Sequence, residues 1–309
     1  MKVCFIGLGS IATRHIRNLY DIYEGNVKID VFRSGNGGDI SEEINQCIGH
    51  CYTQIEKVPK DYDLIFITNP TKLHYETLQK FHMKGRHFFI EKPVFETGVE
   101  DLSKLKLRAD SVYYVACPLR YTNVIQYLKE YVNFSDIYSV RCISSSYLPD
   151  WRSGIDYRKT YSAQKELGGG VSIDLIHEWD YLCYLLGTPQ SVLSMKGKKS
   201  NLEIDSDDCA IYIAEYANLF VELHLDYFGR VPIRKIELFG KEEIIEVDIL
   251  KQQIKFVKAN KLIDLYEDRN SYQKRELLFF LNLLNNRDKE YNNLEKACQT
   301  LRITRGEFG

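Results

Sequence analysis

The 309-residue sequence predicts an α/β protein in two parts: a parallel-sheet domain over residues 1–118 and an α+β domain over 119–309 built on a large, mostly antiparallel sheet. Three observations predict it. Short apolar runs alternate with helical patterns up to about Pro118, which implies crossover connections and a parallel sheet. A glycine-rich turn joins the first strand to the first helix. Beyond Pro118 the strands lengthen and alternate apolar with polar residues, the mark of a half-buried antiparallel sheet.

Taken in order, "KVCFI" (Lys2–Ile6) is a strand, and Ile11, Ile16 and Leu19 then recur at helical spacing. "VKIDVF" (Val27–Phe32) is the second strand. "DISEEINQCIG" is a helix with Asp39 or Ser41 as N-cap and Gly49 as its stop. "DLIFITNP" is a strand stopped by Pro70, and "LHYETLQKFHMKG" a helix with Gly85 just past its end. "RHFFIEKP" and "SVYYVACP" are strands, with a helix from Leu102 to Arg108 between them. In the second part "TNVIQYLKEYV" is a helix and "IYSVRCISSSYL" a long strand. "GGGVSIDLIHEWDY" is a helix opened by three glycines. "CAIYIAEYANLFVELHLDYF" is a hairpin turning at Ala217-Asn218, with Leu219, Val221, Leu223 and Leu225 on one face and Phe220, Glu222, His224 and Asp226 on the other. "RKIELFGKEEIIEVDI" turns at Gly240. Helices near 271–284 and 292–303 close the chain.

Composition excludes several classes of function. A net charge of −2 supplies no field for nucleic acid or an acidic membrane. No apolar run approaches the ~20 residues that cross a bilayer, and "MKVCFIGLGS" is too short for a secretory signal. Eight cysteines are scattered at 4, 47, 51, 117, 142, 183, 209 and 298 without C-x-x-C spacing. They suit free thiols in a reducing cytoplasm. "CIGHC" lacks a second half with matching spacing, and a strand row such as Glu222, His224 and Asp226 suits a polar subunit interface, so no metal site is expected.

The motifs point to a nucleotide. "GLGSIA" matches G-x-G-x-x-[GA] directly after the first strand. Gly7 permits the tight turn, Gly9 lets a pyrophosphate approach the backbone, and Ala12 keeps the helix close to the sheet. The amides of Ser10 and Ile11 then face the phosphates from a helix N-terminus. Arg33 and Ser34 end the second strand where an acid would bind an NAD ribose. A guanidinium suits a 2′-phosphate, so NADP is favoured over NAD. "TNPTKLH" (with Asn69, Pro70 and His74) and "EKP" (Glu91, Lys92, Pro93) end later strands, at the edge where open parallel sheets bind ligands. On the second-part helix Asp174, His177 and Asp180 lie three residues apart, within side-chain reach, so either acid can favour the imidazolium. The competing reading of this stretch is an ordinary helix with a polar stripe.

"GLGSIATRH", "TNPTKLH", "FFIEKP" and "GGGVSIDLIHEWD", in this order and at these intervals over residues 1 to about 240, resemble the glucose–fructose oxidoreductase/inositol dehydrogenase/rhizopine catabolism family, written Gfo/Idh/MocA. The resemblance implies a Rossmann domain followed by a domain whose open sheet commonly joins subunits, in a homodimer or homotetramer. It implies NAD(P)-dependent oxidation or reduction of a sugar, polyol or related alcohol. "DYRKTYSAQKELGGG" resembles members acting on nucleotide sugars in surface-polysaccharide pathways. The family pattern places Lys92 near the nicotinamide ribose and the reacting oxygen, as electrostatic stabiliser or as base. It makes His177 the acid/base and has Asp174 bind substrate or orient the histidine. Here only Leu175 and Ile176 separate Asp174 from His177, a shorter interval than in many relatives, whereas His177 to Asp180 keeps the family's H-x-x-D. Arg120, Tyr157, Arg158 and Tyr161 are candidates for substrate hydroxyls or a phosphate. Relatives often continue beyond "LEKACQTLRITRGEFG", which points to a shortened end. The alternative is a non-catalytic NADP-binding sensor or scaffold, which has no need of both Lys92 and His177.

Overall fold

A computed structural model describes residues 1–35, 38–286 and 290–308. Asn36 and Gly37 of the "VFRSGNGG" loop lie outside the described residues. The chain forms two compact units, one from residues 1–116 with 273–298 and one from 117–272 with 299–309.

The first unit carries β1 (Lys2–Ile6), α1 (Ser10–Ile22), β2 (Lys28–Phe32), α2 (Glu42–Cys47), β3 (Ile48–Tyr52), β4 (Tyr62–Ile67), α3 (His74–Phe81), β5 (Gly85–Ile90) and β6 (Tyr113–Val115). The sheet order is β3-β2-β1-β4-β5-β6 with every pair parallel. The order reverses between β1 and β4, and the loops after these two strands flank the crevice of a dinucleotide fold. Central strands are apolar on both faces because both are covered: Val3, Cys4, Phe5 and Leu64 to Ile67 are all buried. Helix α1 buries Ala12, Ile16 and Leu19. Phe280, from the returning segment 273–298, packs edge-on against Phe66 and Phe89, so a late helix completes this core.

Three local expectations change. Gly49 does not stop α2, which ends at Cys47; it sits inside β3, where a Cβ would lie 3.1 Å from Asp30 Oδ1. Gly85 opens β5 rather than following a helix end, since α3 ends at Phe81. The helix expected over 102–108 is only a 3-10 turn, Leu102–Leu105, because Lys106 turns the backbone left-handed at φ +51°.

The second unit carries α4 (Asn123–Tyr131), β7 (Ile137–Tyr147), α5 (Val171–Asp174), α6 (Ile176–Leu186), β8 (Ser191–Gly197), β9 (Cys209–Glu215), β10 (Phe220–Asp226), β11 (Phe228–Gly240), β12 (Ile244–Asp248), β13 (Gln253–Phe256) and β14 (Lys261–Asp264). Two helices close the chain: α7 (Arg269–Leu283), which leads back into the first unit, and α8 (Leu294–Arg305), which leads out of it. The eight strands run β14-β13-β12-β11-β7-β10-β9-β8, antiparallel except for β7 beside β10. One face packs Val140, Val221, Leu223, Leu225 and Ile236 against Ile125 and Leu128 of α4 and Trp179 and Leu182 of α6. On the other face Arg141 lies 3.3 Å from Glu222 and 3.7 Å from Glu237, a ladder of cross-strand charges. The helix expected to follow the glycines is two pieces, broken at Leu175 (φ −96°, ψ 30°).

Candidate functional site

In the first unit the glycine turn is set by the strand beside it. Gly7 has φ +92°, its N–H donates to the Phe32 carbonyl at 2.8 Å, and a Cβ would sit 2.8 Å from the Asn69 backbone. Gly9 is the N-cap of α1, and a Cβ there would meet nothing within 4 Å. Open space therefore lies over the first turn, where the Ser10 and Ile11 amides have no intrahelical acceptor. Ala12 is fully buried and seats α1 on the sheet. Asn69 spans the same crevice. Its Nδ2 donates to Thr77 Oγ1 at 2.8 Å, and its Oδ1 is buried without a hydrogen-bond partner among the described residues. An open glycine cradle, helix amides without an intrahelical acceptor and an orphaned amide oxygen fit a pyrophosphate and its ribose.

Arg33 follows β2, and its guanidinium donates to the Gly38 carbonyl at 2.8 Å; Ser34 beside it is exposed. Pro70 begins the turn that leads to His74, which is buried. His74 Nδ1 lies 3.1 Å from the carbonyls of both Pro93 and Val94, and Nε2 lies 2.9 Å from that of Asn69. Burial holds this imidazole below its ordinary pKa, against the carbonyls, which favour the protonated ring. Glu91 and Lys92 follow β5 directly, at the sheet edge that also carries Gly7 and Asn69, and the Lys92–Pro93 peptide is cis. Glu91 Oε1 lies 2.7 Å from His15 Nε2 of α1.

In the second unit the three glycines fold against the chain itself. A Cβ on Gly169 would sit 2.0 Å from the Tyr161 carbonyl oxygen, and one on Gly170 (φ +133°) 2.2 Å from Asp207 Oδ1. Asp207 caps α5: its backbone carbonyl accepts from Val171 N at 2.9 Å and its carboxylate from Ser172 N at 3.1 Å. At Gly169 and Gly170 the close neighbours are thus protein atoms of the same unit.

Asp174 is buried at the end of α5 and accepts the Tyr227 hydroxyl at 2.5 Å; Tyr161 also hydrogen-bonds it. Burial first, and then the charge and hydrogen bond of Asp174, push both phenols up, so they stay protonated as donors. His177 is half-buried in the first turn of α6. Asp180 takes a two-pronged bond from Arg120, with Nε to Oδ2 at 2.9 Å and Nη2 to Oδ1 at 2.7 Å. Arg120 is thereby engaged in anchoring α6. Arg158 is engaged on the surface, by Asp156 at 2.8 and 3.1 Å and by Glu203 at 2.8 Å, and the Tyr157 hydroxyl accepts from Glu203 N at 3.1 Å. A shallow pocket beside these residues is lined by Leu148, Trp151, Arg152, Ile155, Tyr157 and Thr160, among others. Tyr227 and Trp151, whose rings meet edge-on at 5.2 Å, had no place in the sequence reading. For Tyr227 a signal existed: it continues the odd-numbered apolar row of β10 onto the helix-covered face.

Two family descriptions match consecutive parts of the chain: the oxidoreductase family with NAD-binding Rossmann fold over residues 1–115, and the GFO/IDH/MocA C-terminal domain over 125–246. The chain belongs to the Gfo/Idh/MocA family. Among curated proteins it is similar to D-xylose dehydrogenase of Paenarthrobacter nicotinovorans, 28% identical over 148 residues, which are 45% of this chain and 38% of that protein. It is also similar to the uncharacterized oxidoreductase YrbE of Bacillus subtilis, 25% identical over 225 residues, 69% of this chain and 63% of that one. The matches thus span about two-fifths to two-thirds of these relatives' length. Among solved structures, levoglucosan dehydrogenase in complex with NADH and levoglucosan superposes with a TM-score of 0.83 at 17% identity, covering 99% of this chain and 95% of that one. UDP-N-acetylglucosamine 3-dehydrogenase from Acidithiobacillus ferrooxidans superposes with a TM-score of 0.78 at 19% identity, covering 98% and 95%. At such identities the likeness establishes the fold: a parallel six-stranded Rossmann sheet followed by an eight-stranded, mostly antiparallel sheet.

Proposed function

We propose that this protein transfers hydride between a nicotinamide dinucleotide, NADP favoured, and the secondary carbinol or keto carbon of a sugar or nucleotide sugar. The observation that carries the reading is the shared sheet edge on which the glycine turn, the orphaned Asn69 oxygen and Lys92 all lie. The dinucleotide supplies the hydride chemistry, and the protein binds, orients and polarises. Gly9 and the α1 amides hold the pyrophosphate, and Arg33 holds the 2′-phosphate. Lys92, as ammonium, stabilises negative charge developing on the substrate oxygen. His177 takes the hydroxyl proton during oxidation and returns it during reduction. Asp174, held by the Tyr227 hydroxyl, accepts a substrate hydroxyl.

Support for a carbohydrate substrate comes from relatives named for D-xylose, levoglucosan and UDP-N-acetylglucosamine. Support for self-association comes from the uncovered sheet face, where Leu193 and Met195 of β8 are 73% and 77% exposed beside half-exposed Ile213 of β9. All eight cysteines are free thiols, in keeping with a reducing compartment such as the cytoplasm. Turnover with those three carbohydrates, followed alongside NADPH binding, tests the reading. Lys92→Ala should lose at least ~100-fold in turnover while NADPH still binds. Near-normal turnover in that variant would overturn the role of Lys92. NADPH binding by the wild-type protein without turnover on any sugar would favour a sensor.

A further inference from the structure

We propose that His15 and Glu91 form a positioning pair that ties the segment bearing Lys92 to helix α1, so that one helix both meets the dinucleotide and aims the ammonium. The inference rests on the role of Lys92 given above. Neither partner needs to touch substrate.

His15 is 2% exposed, and its ring packs against the stacked pair Phe66, with centroids 5.6 Å apart, and Phe89, 4.9 Å away and edge-on. Such a hole suits leucine. A polar ring there is costly unless it is hydrogen-bonded. The bond it makes is the one from Nε2 to Glu91 Oε1, across 76 residues of sequence. Nδ1 is buried and has no hydrogen-bond partner among the described residues. That asymmetry fixes the tautomer. With the proton on Nε2 the ring donates to a carboxylate and buries only a bare lone pair. With the proton on Nδ1 it would bury an orphaned N–H and turn a lone pair toward the carboxylate. Burial alone would raise the Glu91 carboxyl, but His15, with Lys92 and His74, outweighs it and holds the group below its ordinary value, as an ionised acceptor.

The rest of the segment is clamped as well. Glu91 N donates to the Ile67 carbonyl at 3.0 Å, and His74 bonds the carbonyls of Pro93 and Val94. His15 alone among these ties leads into α1, and it sits on that helix's second turn.

The test is amide hydrogen exchange, read by mass spectrometry on peptides covering 88–96, in His15→Leu, His15→Gln and Glu91→Gln, with NADPH affinity and turnover measured on the same preparations. Glutamine can return an N–H close to the lost Nε2, and leucine cannot. In His15→Leu, exchange over 91–94 should rise at least ~10-fold, turnover should fall ~10- to 100-fold at unchanged KM, and NADPH affinity should stay within ~3-fold. His15→Gln should recover most of both losses. Glu91→Gln should loosen the same peptides, and it decides the matter if His15→Leu does not fold. Wild-type exchange in His15→Leu and Glu91→Gln would overturn the proposal. So would loosening spread over the whole first unit that glutamine does not repair, since His15 would then be a packing residue. Full turnover in Lys92→Ala would sink the role of that lysine and leave the exchange result standing by itself.

Discussion

Replacing Asp180 by asparagine removes one charge from a buried pair while nearly keeping its shape. Arg120 meets Asp180 through two bonds of 2.9 and 2.7 Å, and the two side chains are 11% and 10% exposed, so solvent screens the pair little. Breaking such a pair by changing one partner costs about 3–5 kcal/mol, chiefly because the other charge is left buried without compensation. The asparagine oxygen still accepts one of the two bonds, which puts the expectation near ~3 kcal/mol, or ~100-fold in the unfolding equilibrium. For a unit of this size that is a fall of roughly 6–12 °C in Tm. The pair also bears on the proposed function, because Asp180 lies on α6 one turn after His177. Both tryptophans, Trp151 and Trp179, belong to the second unit, and Trp179 is fully buried, so urea unfolding followed by fluorescence reports this unit. The double change Arg120→Met with Asp180→Leu should lie within ~1 kcal/mol of wild type, since apolar replacements of a buried pair are often neutral. A loss below ~1 kcal/mol in Asp180→Asn, at unchanged m-value, would refute the argument that the pair anchors α6.

Arg33→Ala should weaken NADPH binding ~10-fold or more and leave NADH nearly unchanged, measured by cofactor fluorescence titration, because a guanidinium bond to a phosphate is charge-assisted. Gly169→Ala should destabilise the second unit by more than ~2 kcal/mol in urea, since its methyl would overlap the Tyr161 carbonyl, 2.0 Å away, and backbone there cannot yield cheaply. Asp226 is held below the ordinary carboxylate pKa: burial would raise it, but His224, Ser145 and the amides of Gly229 and Phe228 outweigh that. A lowered folded pKa gives stability that is present above the unfolded value, near ~3.9, and lost as pH falls through the folded value. Asp226→Asn should therefore lower the urea midpoint at neutral pH and flatten its further fall below about pH 4.

Periodicity made most of the elements legible. The strand β3, "IGHCY", escaped because it is an edge strand whose middle residues are exposed, so it lacks the apolar run that marks its neighbours. The stretch 102–108 carries a helical pattern, but the left-handed Lys106 stops it after one turn, and nothing in its side chain announces that. The return of 273–298 to the first unit depends on Phe280 meeting Phe66 and Phe89, a pairing over some two hundred residues that no local pattern encodes. The site divides in the same way. Gly7, Gly9 and Ala12 are readable because a turn between strand and helix admits few residue types. The arginines were readable as cations but not as partners: Arg120 belongs to Asp180 and Arg158 to Asp156 and Glu203. Likewise the acids flanking His177 each have a partner from elsewhere in the chain, Tyr227 for Asp174 and Arg120 for Asp180.

The central proposal is that Lys92 and His177 are both required for hydride transfer. The most direct measurement is the single-turnover rate of nicotinamide reduction on a carbohydrate that the wild type oxidises, in Lys92→Ala, His177→Ala and the double variant, each with NADP binding verified. Each single change should slow the hydride step at least ~100-fold, and the double change should cost little more than the worse single, as for groups that act as a unit. A wild-type rate in either single variant, with cofactor bound, would contradict the claim.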